Sequence, residues 1–216
     1  MAPTDSASGG VTEEAPLLIE LGPARVRGPA PGVAPPQRPD LACETVGRPR
    51  RGRSRIFIAL AAWQAAGAHV AQDGARELGG ILWGRPLHDP AGDFLEITEA
   101  RPATSARGDV GQLTFGQEAW QEVLAGQNSD HLVVGWYHSH PGFGVFLSEQ
   151  DSFIHRHFFA RPWQVALVLD SVAGTWALYS WVKDQLAPWT GFELIAPLAQ
   201  RGLLKEQAAL ARRARR

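Results

Sequence analysis

The apolar run HLVVGWYHSHP, from His131 to Pro141, constrains the fold more than any other part of the sequence. Its aliphatic and aromatic residues predict a β-strand. Pro141 must end that strand or push it to the edge of a sheet, because proline has no N–H to donate to the ladder. The run therefore predicts a strand that carries two histidines and a serine at its end.

Strand and helix patterns alternate after residue 54. Strands are predicted for the segments RIFIAL, ELGGILWG, DFLEITEA, WQVALVLDS, TWALYSWV and GFELIAPL. Helices are predicted for residues 60–74, for FGQEAWQEVLAG, from Ser148 to about Phe158 and from about Arg201 onward. Such interleaving predicts an α/β or α+β fold in which helices flank a mixed sheet.

The segment before this part has a different composition. Nine prolines and six glycines fall in the first 50 residues, and both residue types oppose regular helix and ladder formation. The pattern therefore predicts a flexible arm over residues 1–54, one domain over residues 55–200 and a charged C-terminal helix over residues 201–216. Within the arm, the short apolar run PLLIEL (16–21) is interpreted either as a docking segment or as a loosely attached strand.

Length, charge and cysteine content exclude several classes of protein. A chain of 216 residues is long enough for one domain of ordinary size but too short for two comfortable cores. A net charge of −1 offers no general attraction to nucleic acid or anionic lipid, and no segment has the ~18 apolar residues of a membrane span. The N-terminal residues lack the basic and then apolar order of a signal peptide, so a cytoplasmic location is expected. Cys43 is the only cysteine, which excludes an intrachain disulfide and a thiolate zinc cluster.

The segment HSHPGFGVFLSEQD, residues 138–151, has the donor spacing of a metal site. His138 and His140 are two residues apart at the end of a strand, so their imidazoles leave the same face and can bind one ion. Ser148 is placed to cap the next helix, and Asp151 then lies in the first turn, where the helix dipole favours an ionised carboxylate. Two histidines and one carboxylate leave the fourth position of tetrahedral zinc open, as in catalytic zinc sites. The residues therefore predict a hydrolytic Zn²⁺ site, which also needs a separate carboxylate as a proton carrier.

These residues resemble the JAMM or MPN+ metallopeptidases, which include the catalytic subunits of the proteasome lid and the signalosome. The family motif has an upstream Glu, then H-[ST]-H-P, six residues, a serine, two residues and an aspartate, and HSHPGFGVFLSEQD fits it at every position. The upstream pattern E-x-x-G-x-L-x-G is present at Glu77, Gly80, Leu82 and Gly84. In arrangement, the resemblance extends over roughly residues 55–198.

The resemblance implies a fold and a role for each motif residue. It implies an MPN/JAMM domain with a cytidine-deaminase-like architecture. The zinc ligands would be His138, His140 and Asp151. Glu77 would be the general acid/base, and Ser148 would steady the tetrahedral oxyanion.

A second histidine pair, His155 and His157, tests whether the H-x-H pattern is informative on its own. On a helix the two side chains are about 200° apart, so they cannot chelate an ion as a strand pair can. Both are expected on the helix surface. Because His155 lies four residues beyond Asp151, a supporting or substitute role at the metal is the alternative.

The resemblance also implies a substrate class. Most members of the family hydrolyse an isopeptide or peptide bond after the C-terminal glycine of a ubiquitin-like protein. That protein or its conjugates would be the partner, with E1-like and E2-like enzymes of the same pathway as further partners. The Ala-, Arg- and Pro-rich composition suggests a bacterial source, where compact relatives process ubiquitin-like modifiers or sulfur-carrier proteins.

The sequence leaves three alternatives to deconjugation of a modifier. Processing of a sulfur-carrier protein would use the same chemistry. A non-catalytic MPN scaffold would only bind partners, but such relatives characteristically lose ligands, and this chain keeps the full motif. A nucleobase deaminase of related architecture would need an H-x-E and a C-x-x-C pattern, which a single cysteine forbids.

Overall fold

Most of the apolar runs in the sequence become strands of one mixed β-sheet. The computed structural model describes residues 28–49, 54–103, 107–109, 112–114 and 131–214. Within these residues the strands are β1 (Ala30–Pro31), β2 (Leu41–Gly47), β3 (Arg55–Ala59), β4 (Gly79–Asp89), β5 (Gly92–Pro102), β6 (Arg107–Asp109), β7 (Gln112–Thr114), β8 (Leu132–Ser139), β9 (Val165–Asp170), β10 (Thr175–Val182), β11 (Gln185–Pro188) and β12 (Gly191–Pro197). The helices in the same residues are α1 (Leu60–Val70), α2 (Glu149–Phe158) and α3 (Arg201–Ala214). The segments PLLIEL and FGQEAWQEVLAG lie outside the described residues.

The strands of the main sheet pair in the order β11–β10–β9–β8–β4–β5–β3–β12–β2, and β1 also pairs with β4. β8 lies between β4, which is antiparallel to it, and β9, which is parallel to it. The apolar run that carries the histidines is therefore an interior strand, and Pro141 lies just beyond its end, where no ladder N–H is needed. The predicted α/β class, with helices flanking a mixed sheet, is confirmed. None of the helices in the described residues has both the length and the apolar character that crossing a bilayer requires.

Side chains that alternate along the strands build a core on each face of the sheet. Leu82 of β4 packs in one core cluster with Leu60 of α1 and Leu204 of α3. Its neighbour Ile81 points to the other face and packs in a second cluster with Ile154 of α2. The period of two along a strand explains this division. α2 therefore covers the face opposite to α1 and α3.

Helix α1 ends at Val70, before the predicted end at Gly74. The Asp73 side chain accepts hydrogen bonds from the backbone N–H groups two and three residues ahead, at 2.8 and 3.1 Å. Such local side-chain bonds compete with helical pairing and favour a turn. This turn leads the chain to Glu77, directly before β4.

The predicted flexible arm is wrong for residues 28–49. β2 pairs with β12 along its whole length, and it is the last strand in the sheet order. Val46 is fully buried, and Arg38 forms an ion pair of 2.6 Å with the buried Glu96. The prolines do not prevent this packing, because those at Pro35–Gln37 form a 3-10 turn outside the ladder. The folded domain therefore begins well before β3.

Candidate metal centre

Two histidines stand side by side where β8 ends. Nε2 of His138 and Nε2 of His140 are 3.1 Å apart, and both side chains are buried. The His140 N–H donates to the Leu169 carbonyl at 2.8 Å, which continues the pairing of β8 with β9 beyond the strand. The strand spacing thus brings the two imidazoles together from one face, as the sequence predicts.

The first turn of α2 brings a carboxylate to this pair. Ser148 caps the helix, since its Oγ accepts from the Asp151 N–H at 3.1 Å. In return, the N–H and the hydroxyl of Ser148 donate to Asp151 Oδ2 at 2.8 and 2.6 Å. Asp151 Oδ1 lies 3.4 Å from His138 Nε2, and Oδ2 lies 3.4 Å from His140 Nε2. Burial alone would raise the pKa of Asp151, but its hydrogen bonds with both histidines and with Ser148 lower it well below its usual range, so the carboxylate is ionised as a ligand must be.

The pKa values of the two imidazoles shift in opposite directions. Burial lowers the pKa of His138, which keeps this ring neutral with a lone pair to offer. Burial also lowers the pKa of His140, but Asp151 and Glu77 raise it by more, so a proton competes with a metal ion more strongly there than at His138. His140 Nδ1 lies 3.2 Å from the Gly144 carbonyl oxygen. Because a carbonyl only accepts, Nδ1 is the donor, and Nε2 faces the donor set.

The donor atoms fit a tetrahedral ion. One donor atom from each of His138, His140 and Asp151 lies within 4.8 Å of the other two. Ligand atoms bound to zinc at about 2.0–2.1 Å are about 3.3–3.4 Å apart at the tetrahedral angle. The two histidine nitrogens are 3.1 Å apart, and each lies 3.4 Å from a different oxygen of Asp151. The donor types suit zinc, and the three side chains lie close enough to share one ion.

Glu77 lies beside this donor set but outside it. Its Oε1 is 3.7 Å from His140 Nε2, and the residue is 5% exposed. Burial raises the pKa of Glu77, His140 lowers it and Asp151 raises it, with a net increase. A buried carboxylate with a raised pKa next to a metal site can accept a proton and release it again.

Ser139 fixes the backbone that carries Glu77, a role that sequence reasoning missed. Its Oγ accepts a hydrogen bond from the Leu78 N–H at 2.9 Å, and its own N–H donates to the Leu78 carbonyl at 2.8 Å. Ser139 is fully buried between the two histidines. The only signal in the sequence was a hydroxyl between two candidate ligands, and its partner lies 61 residues away in the chain.

The glycines of the upstream motif permit close packing around this backbone. A Cβ at Gly80 would lie 2.6 Å from atoms of the Tyr137 ring. A Cβ at Gly84 would lie 1.9 Å from the Glu96 carbonyl oxygen, where the register between β4 and β5 shifts. A larger residue at either position would displace β4, and with it Glu77.

His155 is buried, and its expected position on the helix surface is wrong. Trp136 Nε1–H donates to His155 Nδ1 at 3.0 Å, and the Trp136 ring stacks on His138 with centroids 4.5 Å apart. The helix face that turns Asp151 inward turns His155 inward as well, because the two are one turn apart. His157 is exposed, as predicted. Trp136 thus links His155 to His138.

The loop over residues 141–147 borders the centre on its exposed side. The Phe146 ring lies 4.9 Å from the His140 ring and is 49% exposed. The Tyr179 hydroxyl donates to the Val145 carbonyl at 2.9 Å and so holds the loop on β10. An aromatic side chain therefore lines the entrance.

Comparison with known proteins identifies related chains. A family model described as JAB1/Mov34/MPN/PAD-1 ubiquitin protease matches residues 59–160, which include the donor set and Glu77. The chain is 32% identical over 98 residues to the NAD(+) hydrolase TcpA of Theionarchaea archaeon (strain DG-70-1), with 45% of this chain and 28% of that protein covered. It is 40% identical over 57 residues to the ubiquitin carboxyl-terminal hydrolase RPN11 of Saccharomyces cerevisiae, with 26% and 19% covered.

A signalosome subunit is similar over a longer stretch. The chain is 33% identical over 110 residues to COP9 signalosome complex subunit 5 of Caenorhabditis elegans, with 47% of this chain and 28% of that protein covered. The chain thus spans less than a third of each of these three relatives. The match over residues 59–160 is to a JAB1/Mov34/MPN/PAD-1 domain, and the mixed sheet and the geometry around His138 and His140 agree with such a domain.

Proposed function

We propose that this chain is a zinc-dependent metallopeptidase that cleaves an isopeptide or peptide bond after the C-terminal glycine of a ubiquitin-like protein. The observation that carries the proposal is the buried donor set of His138, His140 and Asp151. Glu77 supports it, because its Oε1 is 3.7 Å from His140 Nε2 and outside the set. Two histidines, one carboxylate and a nearby free carboxylate are the parts of a hydrolytic zinc site.

The chemistry divides between the ion and Glu77. Zinc held by the donor set would polarise the scissile carbonyl and lower the pKa of water to about 7. Glu77 accepts the proton of the attacking water at its carboxylate and delivers it to the leaving nitrogen. Its burial raises its pKa, which favours the protonated form that would serve as the acid.

Ser148 is assigned to the oxyanion that develops on the scissile carbonyl. Its hydroxyl donates to Asp151 Oδ2 at 2.6 Å in the structure, so the hydroxyl has to turn toward the substrate to act. Asp151 then keeps the Ser148 backbone N–H, at 2.8 Å, as a donor. A contact that forms mainly in the transition state favours turnover over substrate binding.

A glycine before the cleaved bond suits the entrance to the centre. Phe146 lies beside His140, and a residue without a side chain can pass this ring at close range. The relative from Saccharomyces cerevisiae is named a ubiquitin carboxyl-terminal hydrolase, and the family description is ubiquitin protease. Both support a ubiquitin-like partner or its conjugates, and E1-like and E2-like enzymes are the further partners of such a pathway.

Other activities have less support from the centre. The name NAD(+) hydrolase belongs to a relative of which the alignment covers 28%, and a zinc donor set beside a proton carrier favours peptide hydrolysis. A non-catalytic scaffold would not need Glu77 buried beside His140. Processing of a sulfur-carrier protein would use the same cut after a glycine, so it belongs in the same experiment.

The test is a panel of ubiquitin-like and sulfur-carrier proteins, each extended beyond its terminal glycine or joined to a lysine. The zinc-loaded chain is incubated with each, and mass spectrometry maps the products. We expect one cut, directly after the glycine, and no cut in substrates whose terminal glycine is replaced by valine. Cleavage elsewhere, or equal cleavage of unrelated unfolded peptides, would indicate a general peptidase and overturn the proposed substrate class.

A further inference from the structure

A second buried carboxylate lies at the end of β9, outside the donor set. Asp170 is 3% exposed and accepts hydrogen bonds from the N–H groups of Gly142 and Gly144, at 2.9 and 3.0 Å. Two N–H groups of its own turn donate to it at 3.0 and 2.8 Å. One carboxylate therefore ties the β9–β10 turn to the loop that follows His140.

The two loop residues that donate to Asp170 have left-handed backbone conformations. Gly142 has φ 77° and Gly144 has φ 89°, and glycine adopts such values at little cost. Burial alone would raise the pKa of Asp170, but the backbone donors lower it, so the carboxylate is ionised. A charged acceptor that receives several fixed N–H groups stabilises the conformation that aims those groups at it.

His140 is held at two points, one on β9 and one on the loop that Asp170 ties to β9. The Leu169 carbonyl accepts from the His140 N–H at 2.8 Å, which fixes the backbone of the histidine. The Gly144 carbonyl accepts from His140 Nδ1–H at 3.2 Å, which fixes the ring. Gly144 thus donates its N–H to Asp170 and accepts from His140 at its carbonyl.

We propose that Asp170 is a positioning residue for His140: it fixes the backbone of residues 142–144 so that the Gly144 carbonyl holds the imidazole with Nε2 toward the metal. This inference rests on the zinc centre of the proposed function. Groups that orient a metal-bound histidine change metal affinity by about 10- to 100-fold when they are lost. An asparagine at this position would offer one acceptor oxygen in place of two, and at least one loop N–H would lose its partner.

The experiment compares Asp170→Asn with Asp184→Asn. Asp184 is exposed in the next hairpin turn, so its substitution makes the same chemical change away from the loop. Zinc affinity is measured by competition with a chelator, and the visible absorption spectrum of the Co²⁺-loaded protein reports ligand geometry. We expect Asp170→Asn to bind zinc at least about tenfold more weakly and to alter the Co²⁺ spectrum, with Asp184→Asn unchanged. Equal affinities and spectra in the two variants would overturn the assignment.

Gly144→Ala tests the same link from the loop and remains informative if Asp170→Asn does not fold. Apart from Gly144 and its two chain neighbours, no described residue has an atom within 4 Å of a Cβ added at Gly144, so this substitution acts through backbone strain at φ 89°. It should also weaken zinc binding, and the double variant should lose less than the sum of the two single losses. Unchanged affinity in Gly144→Ala, or additive losses, would contradict the proposal.

The outcomes separate this inference from the proposed function. Thermal unfolding of the metal-free proteins measures how far each variant is destabilised. The Co²⁺ spectrum reports the geometry of the ligands and not the stability of the fold. A wild-type chain that depends on Asp170 for zinc but cleaves no ubiquitin-like protein would reject the proposed substrate and leave the positioning role intact. A wild-type chain that binds no zinc would reject both.

Discussion

Glu77 differs from the donor residues in distance and in the state of its carboxyl group. Its Oε1 is 3.7 Å from His140 Nε2, and burial raises its pKa, whereas the pKa of Asp151 is lowered. Glu77→Gln retains the size of the side chain and removes its proton transfer. We expect this variant to bind one zinc ion per chain and to lose about 10²–10⁴-fold in turnover. Elemental analysis and cleavage assays test this.

The control for this prediction is Glu206→Gln, because Glu206 is exposed on α3. It should retain both zinc and turnover. Loss of zinc from Glu77→Gln would make Glu77 a ligand, and full turnover would place the base elsewhere.

Ser148 caps α2 and is also the proposed donor to the oxyanion, and one substitution removes both contacts. Its Oγ caps α2 by accepting from the Asp151 N–H, and its hydroxyl donates to Asp151 Oδ2. Ser148→Ala should lower the free energy of unfolding by about 1 kcal/mol through the lost cap. It should also lower kcat more than it raises KM, because the proposed oxyanion contact would form mainly in the transition state. Thermal unfolding and steady-state kinetics measure the two effects, with Ser152→Ala on the same helix as the control.

An unchanged kcat with a lower melting temperature would leave Ser148 with the cap alone. A loss of zinc would indicate that the cap mainly serves to hold Asp151 in place.

Local spacing explains which site residues the sequence could predict. The pair His138 and His140 follows from the period of a strand, and Asp151 follows from a capping pattern within one helical turn. The contacts of Ser139 with Leu78 and of Trp136 with His155 span sequence separations of 61 and 19 residues. These contacts depend on which strands and helices lie beside β8. No short pattern in the sequence predicts that arrangement.

Among the secondary-structure elements, strongly apolar strands could be predicted from the sequence, and weakly apolar strands could not. The strands β3, β4, β5, β8, β9, β10 and β12 coincide with apolar runs in the sequence. β2 has the sequence LACETVG, of which only Ala42 and Val46 are buried, and it lies among prolines. Its pairing with β12, far along the chain, stabilises a segment that has little strand propensity of its own.

Helix α2 carries a buried base that makes folding depend on pH. Burial lowers the pKa of His155 from its ordinary value of 6.5 to about 4. The unfolded chain therefore binds this proton more tightly than the folded chain does. The stabilisation by neutral His155 is complete above about pH 6.5 and is lost as pH falls toward 4, by about 3 kcal/mol in total. Protonation of Nδ1 would also remove the acceptor that Trp136 uses.

His155→Gln should make the folded state less sensitive to acid, because its amide oxygen can accept from Trp136 without titrating. Thermal unfolding of the metal-free protein between pH 7 and 4 measures this, and metal-free protein keeps zinc release out of the comparison. We expect a shallower fall in melting temperature for His155→Gln than for wild type, with the exposed His157→Gln like wild type. Parallel curves for all three proteins would show that His155 does not control the acid response.

At the scale of the whole molecule, α3, at the C-terminal end of the described chain, packs on β2, near its N-terminal end. Arg212 of α3 donates to the Glu44 carboxylate at 2.8 Å and to the Thr45 carbonyl at 2.7 Å. β2, β12, β3, β5 and β4 follow one another in the sheet, so several strands separate this end from β8 and the metal centre. Damage at β2 should therefore reach the centre through loss of the fold, not through the chemistry of the site.

The position of β2 predicts how far the chain can be shortened. A chain that starts at Gly28 keeps every described residue, so it should fold, bind zinc and melt close to the full-length protein.

A chain that starts at Ser54 lacks β2, which leaves β12 without its antiparallel partner and uncovers apolar residues that β2 and α3 bury, such as Phe192. We expect it to be insoluble or unfolded by circular dichroism, and Val46→Asp in the full-length chain to cause a similar loss by burying a charge. The conservative change Thr190→Ser, which keeps the hydroxyl that donates to the Arg48 carbonyl, is the control for substitutions near this end of the sheet. A soluble, zinc-binding chain from Ser54 would contradict this role of β2 and restore residues 1–54 as a dispensable arm.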